Sequence, residues 1–163
     1  MHRFTISGFL LGASLLAAPA GFGQQPNPVP THDRAVYPRA AQANGQVQEA
    51  LELAARQHKN VVLDFGTNPC ASCQVTGNFF TDDHVHAQIA EHFLLVHVNV
   101  GPKAQKNLDL ARRFGVDVRQ GLPALAVVDA SGKTLGVSNE FSRAANMSAN
   151  DLVTFLNRYR GQN

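Results

Sequence analysis

The sequence has only two cysteines, no tryptophan and no long run of charge of one sign. Two cysteines exclude a four-cysteine zinc site within one chain, and a site of two cysteines and two histidines would need both histidines from elsewhere. The 14 lysines and arginines nearly balance the 12 acidic residues, for a formal net charge of +2. Because no basic stripe interleaved with aromatics is present, we expect no nucleic-acid partner.

A short apolar stretch at residues 61–65 precedes the cysteine pair. A run of this length, rich in β-branched residues, is typical of a buried strand. The turn-forming residues Gly66, Asn68 and Pro69 end it. Because proline suits a position at or just before the first turn of a helix, the pattern predicts strand, turn and helix, with Cys70 at the helix start.

Cys70 and Cys73 lie one helical turn apart and therefore share a helix face. At a helix N-terminus, the unpaired N–H groups and the positive end of the helix dipole favour a thiolate. Cys70 is thus predicted to be the nucleophile, and Cys73 the thiol that resolves a mixed disulfide. A C-x-x-C pair at a strand–helix junction indicates redox chemistry. The alternative is a static disulfide, but it would close too small a loop to restrict the unfolded chain much.

Residues 64–73, Asp-Phe-Gly-Thr-Asn-Pro-Cys-Ala-Ser-Cys, resemble the active-site strand and turn of thioredoxins. In that family a buried aspartate six residues before the first cysteine accepts a proton, and Asp64 has this spacing. The sequence from Gly121 to Leu125, Gly-Leu-Pro-Ala-Leu, resembles the family's cis-proline loop and the strand that follows it. The resemblance extends over about residues 47–160 and is closest to secreted bacterial thioredoxin-like proteins.

The chain departs from the thioredoxin pattern at two places. Pro69 stands where these proteins usually have tryptophan, and Ala71-Ser72 replaces the usual Gly-Pro pair between the cysteines. The direction of electron flow depends on the reduction potential, which the Ala71-Ser72 pair does not reveal.

The resemblance implies an α/β, thioredoxin-like fold with a mixed four- to five-stranded sheet and helices on both faces. It implies catalytic roles for Cys70, Cys73 and Asp64, and a substrate-binding role for Leu122 and Pro123, joined by a cis peptide bond. Asp64, buried beneath the cysteines, would exchange a proton with Cys73. The alternative for Asp64 is a strand-end aspartate bonded to turn backbone. No cofactor is implied, and the partners would be protein thiols or disulfides and a redox partner protein.

Hydrophobic periodicity predicts the remaining elements. Helices are expected at residues 46–58, 70–80, 81–92 and 107–114, and after a capping-box sequence at 148–151. Strands are expected at residues 61–65, 93–100, 124–129 and 134–137, the last two forming a hairpin. Residues 35–37 are predicted to add a short edge strand, and residues 139–147 to form an irregular loop.

The first residues have the pattern of a secretory signal peptide. A weakly positive start is followed at residues 4–18 by a mostly apolar or small stretch, too short to span a bilayer comfortably. The small residues that follow are typical of a signal-peptidase site, with cleavage before Gly21 or Gln24. We therefore predict a signal peptide at residues 1–23, a proline-rich irregular tether or strap at 24–42, and a thioredoxin-like domain at 43–163. A retained membrane anchor is the competing interpretation.

These predictions describe an exported thiol–disulfide oxidoreductase, periplasmic or secreted, monomeric and not inserted in a membrane after signal removal. Reductase or isomerase activity is favoured over strong oxidant activity by the resemblance alone. A second hypothesis is a metal chaperone or adaptor that holds copper or zinc through both cysteines and one histidine. His84 and His86 are the best histidine pair, but helical residues two apart do not face one another. His97 is expected to be an ordinary hydrogen-bonded strand histidine. A third hypothesis is a non-catalytic scaffold.

Overall fold

Four strands form one mixed sheet in the computed structural model, which describes residues 35–161. The central strand β1 (Asn60–Gly66) runs parallel to β2 (Phe93–Asn99) and antiparallel to β3 (Ala124–Val128). The fourth strand, β4 (Thr134–Ser138), pairs with β3 as a hairpin, so the order across the sheet is β2-β1-β3-β4. The predicted mixed sheet is confirmed.

Helices cover both faces of this sheet, as predicted. On one face α1 (Ala43–Gln57) and α4 (Leu108–Arg113) pack against the side chains of Leu63 and Phe65. On the other face are α2 (Ala71–Phe79), α3 (Asp83–His92) and α5 (Ala149–Asn157). Residues from these three helices or their ends share a core cluster with Val62 of β1. The described part of the chain has no helix that is long and apolar enough to cross a membrane.

The central strand is apolar because it is covered on both sides. Every residue of β1 is buried. Side chains alternate between the two faces of a strand, so Asp64 points to the same face as Val62, the face on which α2 lies. The buried sheet thus places one carboxyl group beneath the helix that carries the cysteines.

Two predicted details are wrong. Residues 35–37 do not form an edge strand. The backbone N–H and carbonyl of Tyr37 instead pair with the side-chain amide of Asn68, at 3.0 Å each, and Pro38 follows immediately. The predicted irregular loop at 139–147 contains a 3₁₀ segment, Glu140–Asn146, because Phe141 and Ala144 are spaced to be buried together.

The predicted signal peptide and the first part of the tether, up to residue 34, lie outside the described residues. Residues 35–42, which we call the strap, pack on the domain and end in a 3₁₀ turn, Ala40–Gln42. Tyr37 is only 1% exposed. The strap is held along its length, because Asn99 Nδ2 donates to the Pro38 carbonyl at 2.8 Å and Asn107 Nδ2 donates to that of Ala40 at 2.9 Å.

The strap approaches β1 at Gly66, where a Cβ atom would overlap the ring of Tyr37. We therefore expect Gly66→Ala to destabilise the protein by at least about 1–3 kcal/mol, the usual cost of overpacking. Gly45→Ala is the matched control, because a Cβ there meets nothing within 4 Å. In α1 it should instead stabilise the protein by roughly 0.5–1 kcal/mol. Urea unfolding of both variants tests this, and equal midpoints would contradict it.

Candidate active site

The cysteine pair sits at the start of α2, as predicted. Cys70 is the N-cap residue, with an extended backbone, and α2 begins at Ala71. Cys70 and Cys73 form a disulfide bond. The backbone N–H of Cys73 donates to the Sγ of Cys70 at 3.1 Å, a contact that stabilises negative charge on that sulfur after reduction.

The two sulfurs differ in their access to solvent. Cys73 is fully buried, whereas Cys70 is partly exposed and has exposed neighbours in Pro69 and Ala71. A large partner therefore reaches Cys70 first. This asymmetry suits a nucleophile at Cys70 and a resolving thiol at Cys73.

The cis-proline loop lies beside Cys70. Phe65 at the end of β1 pairs with Ala124 at the start of antiparallel β3, so the residues before Ala124 lie at the cysteine end of the sheet. The Leu122–Pro123 peptide bond is cis, as the resemblance implied. The Leu122 carbonyl oxygen lies 3.6 Å from Cys70 Sγ. Since a disulfide sulfur carries no proton, this is a contact rather than a hydrogen bond.

The 3₁₀ segment between β4 and α5 connects α2 to this loop. The Ser72 hydroxyl donates to the Ser142 carbonyl at 2.8 Å. Next to the segment, Asn139 Nδ2 donates to the Gly121 carbonyl at 3.1 Å. The backbone on both sides of Cys70 is therefore held by residues that the sequence pattern assigned to a loop.

Asp64 is completely buried and is held by two side chains that the sequence analysis did not assign to it. The Tyr37 hydroxyl lies 3.0 and 2.9 Å from its two carboxylate oxygens. Nδ1 of His97 lies 2.7 Å from Asp64 Oδ2. The alternative of a carboxyl bonded to turn backbone is therefore wrong. Buried polar groups need such partners, and here they come from the strap and from β2.

The three side chains form a compact cluster under the cysteine helix. The rings of Tyr37 and His97 meet edge to face at 5.5 Å, and Phe80, at the end of α2, meets His97 in the same way at 5.6 Å. Burial, and then the charge and hydrogen bond of Asp64, raise the pKa of Tyr37 well above its usual range. Tyr37 is therefore a neutral hydrogen-bond donor to Asp64 at any physiological pH.

The comparisons with known proteins agree with this geometry. Residues 40–130 match a family model described as Thioredoxin-like. This chain belongs to the thioredoxin-like family. A solved disulphide isomerase from Xylella fastidiosa Temecula1 is 32% identical to it, with a TM-score of 0.69 over 75% of this chain and 94% of that one. Together with the Cys70–Cys73 disulfide, these matches identify the protein as a thioredoxin-like thiol–disulfide oxidoreductase.

More distant structures share the fold. A thioredoxin from Thermus thermophilus is 24% identical, with a TM-score of 0.51 over 68% of this chain and 80% of its own. The reduced C-terminal domain of DsbD from Neisseria meningitidis is 22% identical, with a TM-score of 0.55 over 72% of this chain and 96% of its own. A comparison with curated proteins gave no significant match.

The metal hypothesis gains no additional ligands from the structure. Within residues 35–161, no group of three or more histidine, cysteine, aspartate or glutamate side chains is placed to hold a metal ion. His84 and His86 are both exposed on α3.

Tyr37→Phe in this thioredoxin-like protein should lower the free energy of unfolding by about 1–3 kcal/mol, because Asp64 loses a buried donor. The raised pKa of Tyr37 predicts how this loss depends on pH. A folded-state pKa above the unfolded value means that the stabilisation is fully present below about pH 10 and declines at higher pH, where only the unfolded chain releases the proton.

Denaturant unfolding of the oxidised protein between about pH 8 and 11 measures this slope. Tyr159→Phe changes the chain's other tyrosine, and we expect its free energy of unfolding to fall at alkaline pH as much as that of the wild type. The free energy of unfolding of Tyr37→Phe should be lower at the start of this pH range and should fall less as the pH rises. Parallel curves for all three proteins would contradict the assignment.

Proposed function

We propose that this protein is an exported thiol–disulfide oxidoreductase of the reductase or isomerase type, acting on other proteins in the periplasm or after secretion. The observation that carries the proposal is the asymmetry of the cysteine pair. Cys70 is partly exposed and receives an N–H hydrogen bond at its sulfur, while Cys73 is buried behind it. Such a pair attacks with one sulfur and resolves with the other.

In the reducing direction, the Cys70 thiolate attacks a disulfide of the partner, and the first partner thiolate leaves and takes up a proton. The Cys73 thiol then gives its proton to Asp64, and its sulfur attacks Cys70 Sγ. The Cys70–partner bond breaks, and the second partner thiolate leaves. Two electrons have passed to the partner, and a redox partner protein with a dithiol restores the reduced pair.

Asp64 suits the role of proton acceptor because it is buried on the face that α2 covers. Its carboxylate accepts hydrogen bonds from the neutral Tyr37 hydroxyl, so its position is defined before Cys73 is deprotonated. A base held within reach of the proton that it removes is what general base catalysis needs.

Leu122 and Pro123 are proposed to bind the substrate. The Leu122 carbonyl oxygen lies 3.6 Å from Sγ of Cys70, the cysteine that a partner would reach first. An extended peptide adjacent to Cys70 could donate a backbone N–H to this carbonyl, in the manner of strand addition. Backbone pairing would allow many different partner sequences to bind.

The reductase or isomerase type is supported by the disulphide isomerase named among the similar structures, which is 32% identical to this chain. The reduction potential tests it. Equilibration with glutathione, monitored by alkylation, should give a value nearer that of thioredoxin, about −270 mV, than that of the strong oxidant DsbA, about −120 mV. Insulin reduction and refolding of scrambled ribonuclease then distinguish reductase from isomerase. A potential near the oxidant value would contradict this type.

Export and a monomeric state complete the proposal. The apolar leader is followed by small residues typical of a signal-peptide cleavage site, which supports removal of residues 1–23 or of a slightly shorter segment. N-terminal sequencing of protein from the native cell should find Gly21 or Gln24 in an extracytoplasmic fraction. An intact Met1 terminus in the soluble cytoplasmic fraction would contradict export. Light scattering measures the oligomeric state, for which we expect a monomer.

A further inference from the structure

His97 lies between the buried carboxyl group and the outside of the protein. In the parallel pairing of β1 and β2, it is directly opposite Asp64. Its Nδ1 atom is 2.7 Å from Asp64 Oδ2. The His97 side chain is 23% exposed, whereas that of Asp64 is 0% exposed. The imidazole is therefore a direct link from the carboxylate toward water.

A surface cavity of about 510 Å³ lies beside this link, at the edge of the sheet that β2 forms. It is lined by the strap, α1 and β2, and His97 forms part of its wall. Because Nδ1 faces Asp64 and the side chain is partly exposed, the other ring nitrogen, Nε2, is the one left to exchange protons with water.

The titratable neighbours of the ring, among the described residues, come from three elements. Tyr37 of the strap and Asp64 of β1 contact the His97 ring, and Glu49 of α1 is a further lining residue of the cavity that His97 borders. From α2 the ring meets the apolar Phe80. Tyr37 is bound to Asp64 and stays neutral, whereas the imidazole has two ring nitrogens, one of which can accept a proton while the other releases one.

We propose that His97 carries protons between Asp64 and solvent during the thiol–disulfide exchange described above, on which this inference depends. When the active-site disulfide forms, Asp64 has received the Cys73 proton. It passes this proton to the unprotonated Nδ1 of His97, and the Nε2 proton of the resulting imidazolium leaves to water. One proton enters the ring and one departs, and His97 ends as the Nδ1–H tautomer bonded to the Asp64 carboxylate.

The return reaction restores the starting tautomer without turning the ring. When a partner dithiol reduces the disulfide, Cys73 leaves as a thiolate and needs a proton. Nε2 takes one from water, Nδ1–H passes one to Asp64, and Asp64 protonates Cys73. The two half-reactions thus use the two nitrogens in opposite order, which a residue with a single titrating atom could not do.

His97→Gln tests the inference, because glutamine can still donate to Asp64 but cannot pass a proton on. We expect turnover in insulin reduction to fall on the order of 10-fold, and the loss to be largest near pH 6–8 and to shrink at higher pH, where hydroxide takes the proton. His86→Gln, at an exposed site on α3, is the matched control. If His97 acts only through Asp64, adding His97→Gln to Asp64→Asn should cost nothing more.

Chemical rescue separates proton transfer from a structural role. His97→Ala opens space next to the cavity, and imidazole should restore at least part of the lost turnover. The matched probe is 1-methylimidazole, which fills similar space but cannot release a proton from its methylated nitrogen. We expect it to rescue little. Far-UV circular dichroism and unfolding midpoints of every variant show whether it is folded.

The outcomes distinguish this inference from the proposed function. If wild type has no exchange activity, the proposed function itself fails. If wild type is active but His97→Gln matches His86→Gln at every pH, His97 carries no protons. Equal rescue by the two imidazoles, or an additive loss in the double variant, would likewise overturn the inference. A tenfold loss confined to neutral pH, with selective imidazole rescue, supports it.

Discussion

Cys70→Ser should reduce thiol–disulfide exchange to the uncatalysed background, whereas Cys73→Ser should accumulate mixed disulfides with partner proteins. Cys70 is the partly exposed cysteine at the N-cap of α2, so replacing it removes the cysteine that a large partner reaches first. Replacing buried Cys73 leaves the first attack intact and removes the thiol that releases the partner.

Insulin reduction measures the first effect, and non-reducing electrophoresis after acid quenching measures the second. The two variants control for each other, because both remove the same small-loop disulfide and therefore change stability through the same loss. Alkylation of the reduced wild type should modify Cys70 at lower pH than Cys73. Equal alkylation profiles, or mixed disulfides from Cys70→Ser, would reverse the assignment.

Asp64→Asn should slow exchange by roughly 100-fold while leaving the fold intact, within the range that general acid–base groups contribute. The asparagine oxygen can still accept from Tyr37, and its amide N–H can donate to His97 Nδ1, so the hydrogen bonds seen at this site have replacements. What asparagine cannot do is accept the proton of Cys73. The defect should therefore lie in the resolving step.

Rapid-quench kinetics can isolate that step by following the mixed disulfide after Cys70 has attacked. The Asp64→Asn variant should form it at nearly the wild-type rate and resolve it slowly. Asp109→Asn, an exposed carboxylate in the first turn of α4, is the matched control and should resolve it normally. A variant that resolves the mixed disulfide at the wild-type rate would leave Asp64 with a structural role only.

Local patterns predicted most elements correctly. Three local signals each depend on only a few neighbouring residues, so the sequence alone reveals them. They are the apolar run of β1, the acidic residues before α3 and the capping sequence before α5. Asp82 accepts the His84 N–H at 3.0 Å, and the Ser148 N–H donates to the Asp151 carboxylate at 2.8 Å. These caps begin α3 and α5 within a few residues of the predicted positions.

The errors arose where distant segments decide the structure. The strap at residues 35–37 has strand-like residues, but its hydrogen bonds go to Asn68, 31 residues away from Tyr37. No local pattern reports that pairing. The 3₁₀ segment Glu140–Asn146 forms partly because its apolar residues meet the core beside α5, which again depends on tertiary packing.

By itself, the sequence determined the reaction class, because the chemistry lies in two sulfurs one helical turn apart at a strand–helix junction. It also indicated Asp64 and the Leu122–Pro123 loop through resemblance to thioredoxins. Only the tertiary structure decided what holds Asp64. His97 reaches it through the register between β1 and β2, and Tyr37 reaches it from the strap. Register and long-range docking are set by the packing of whole faces, whereas sequence spacing reports only neighbours along the chain.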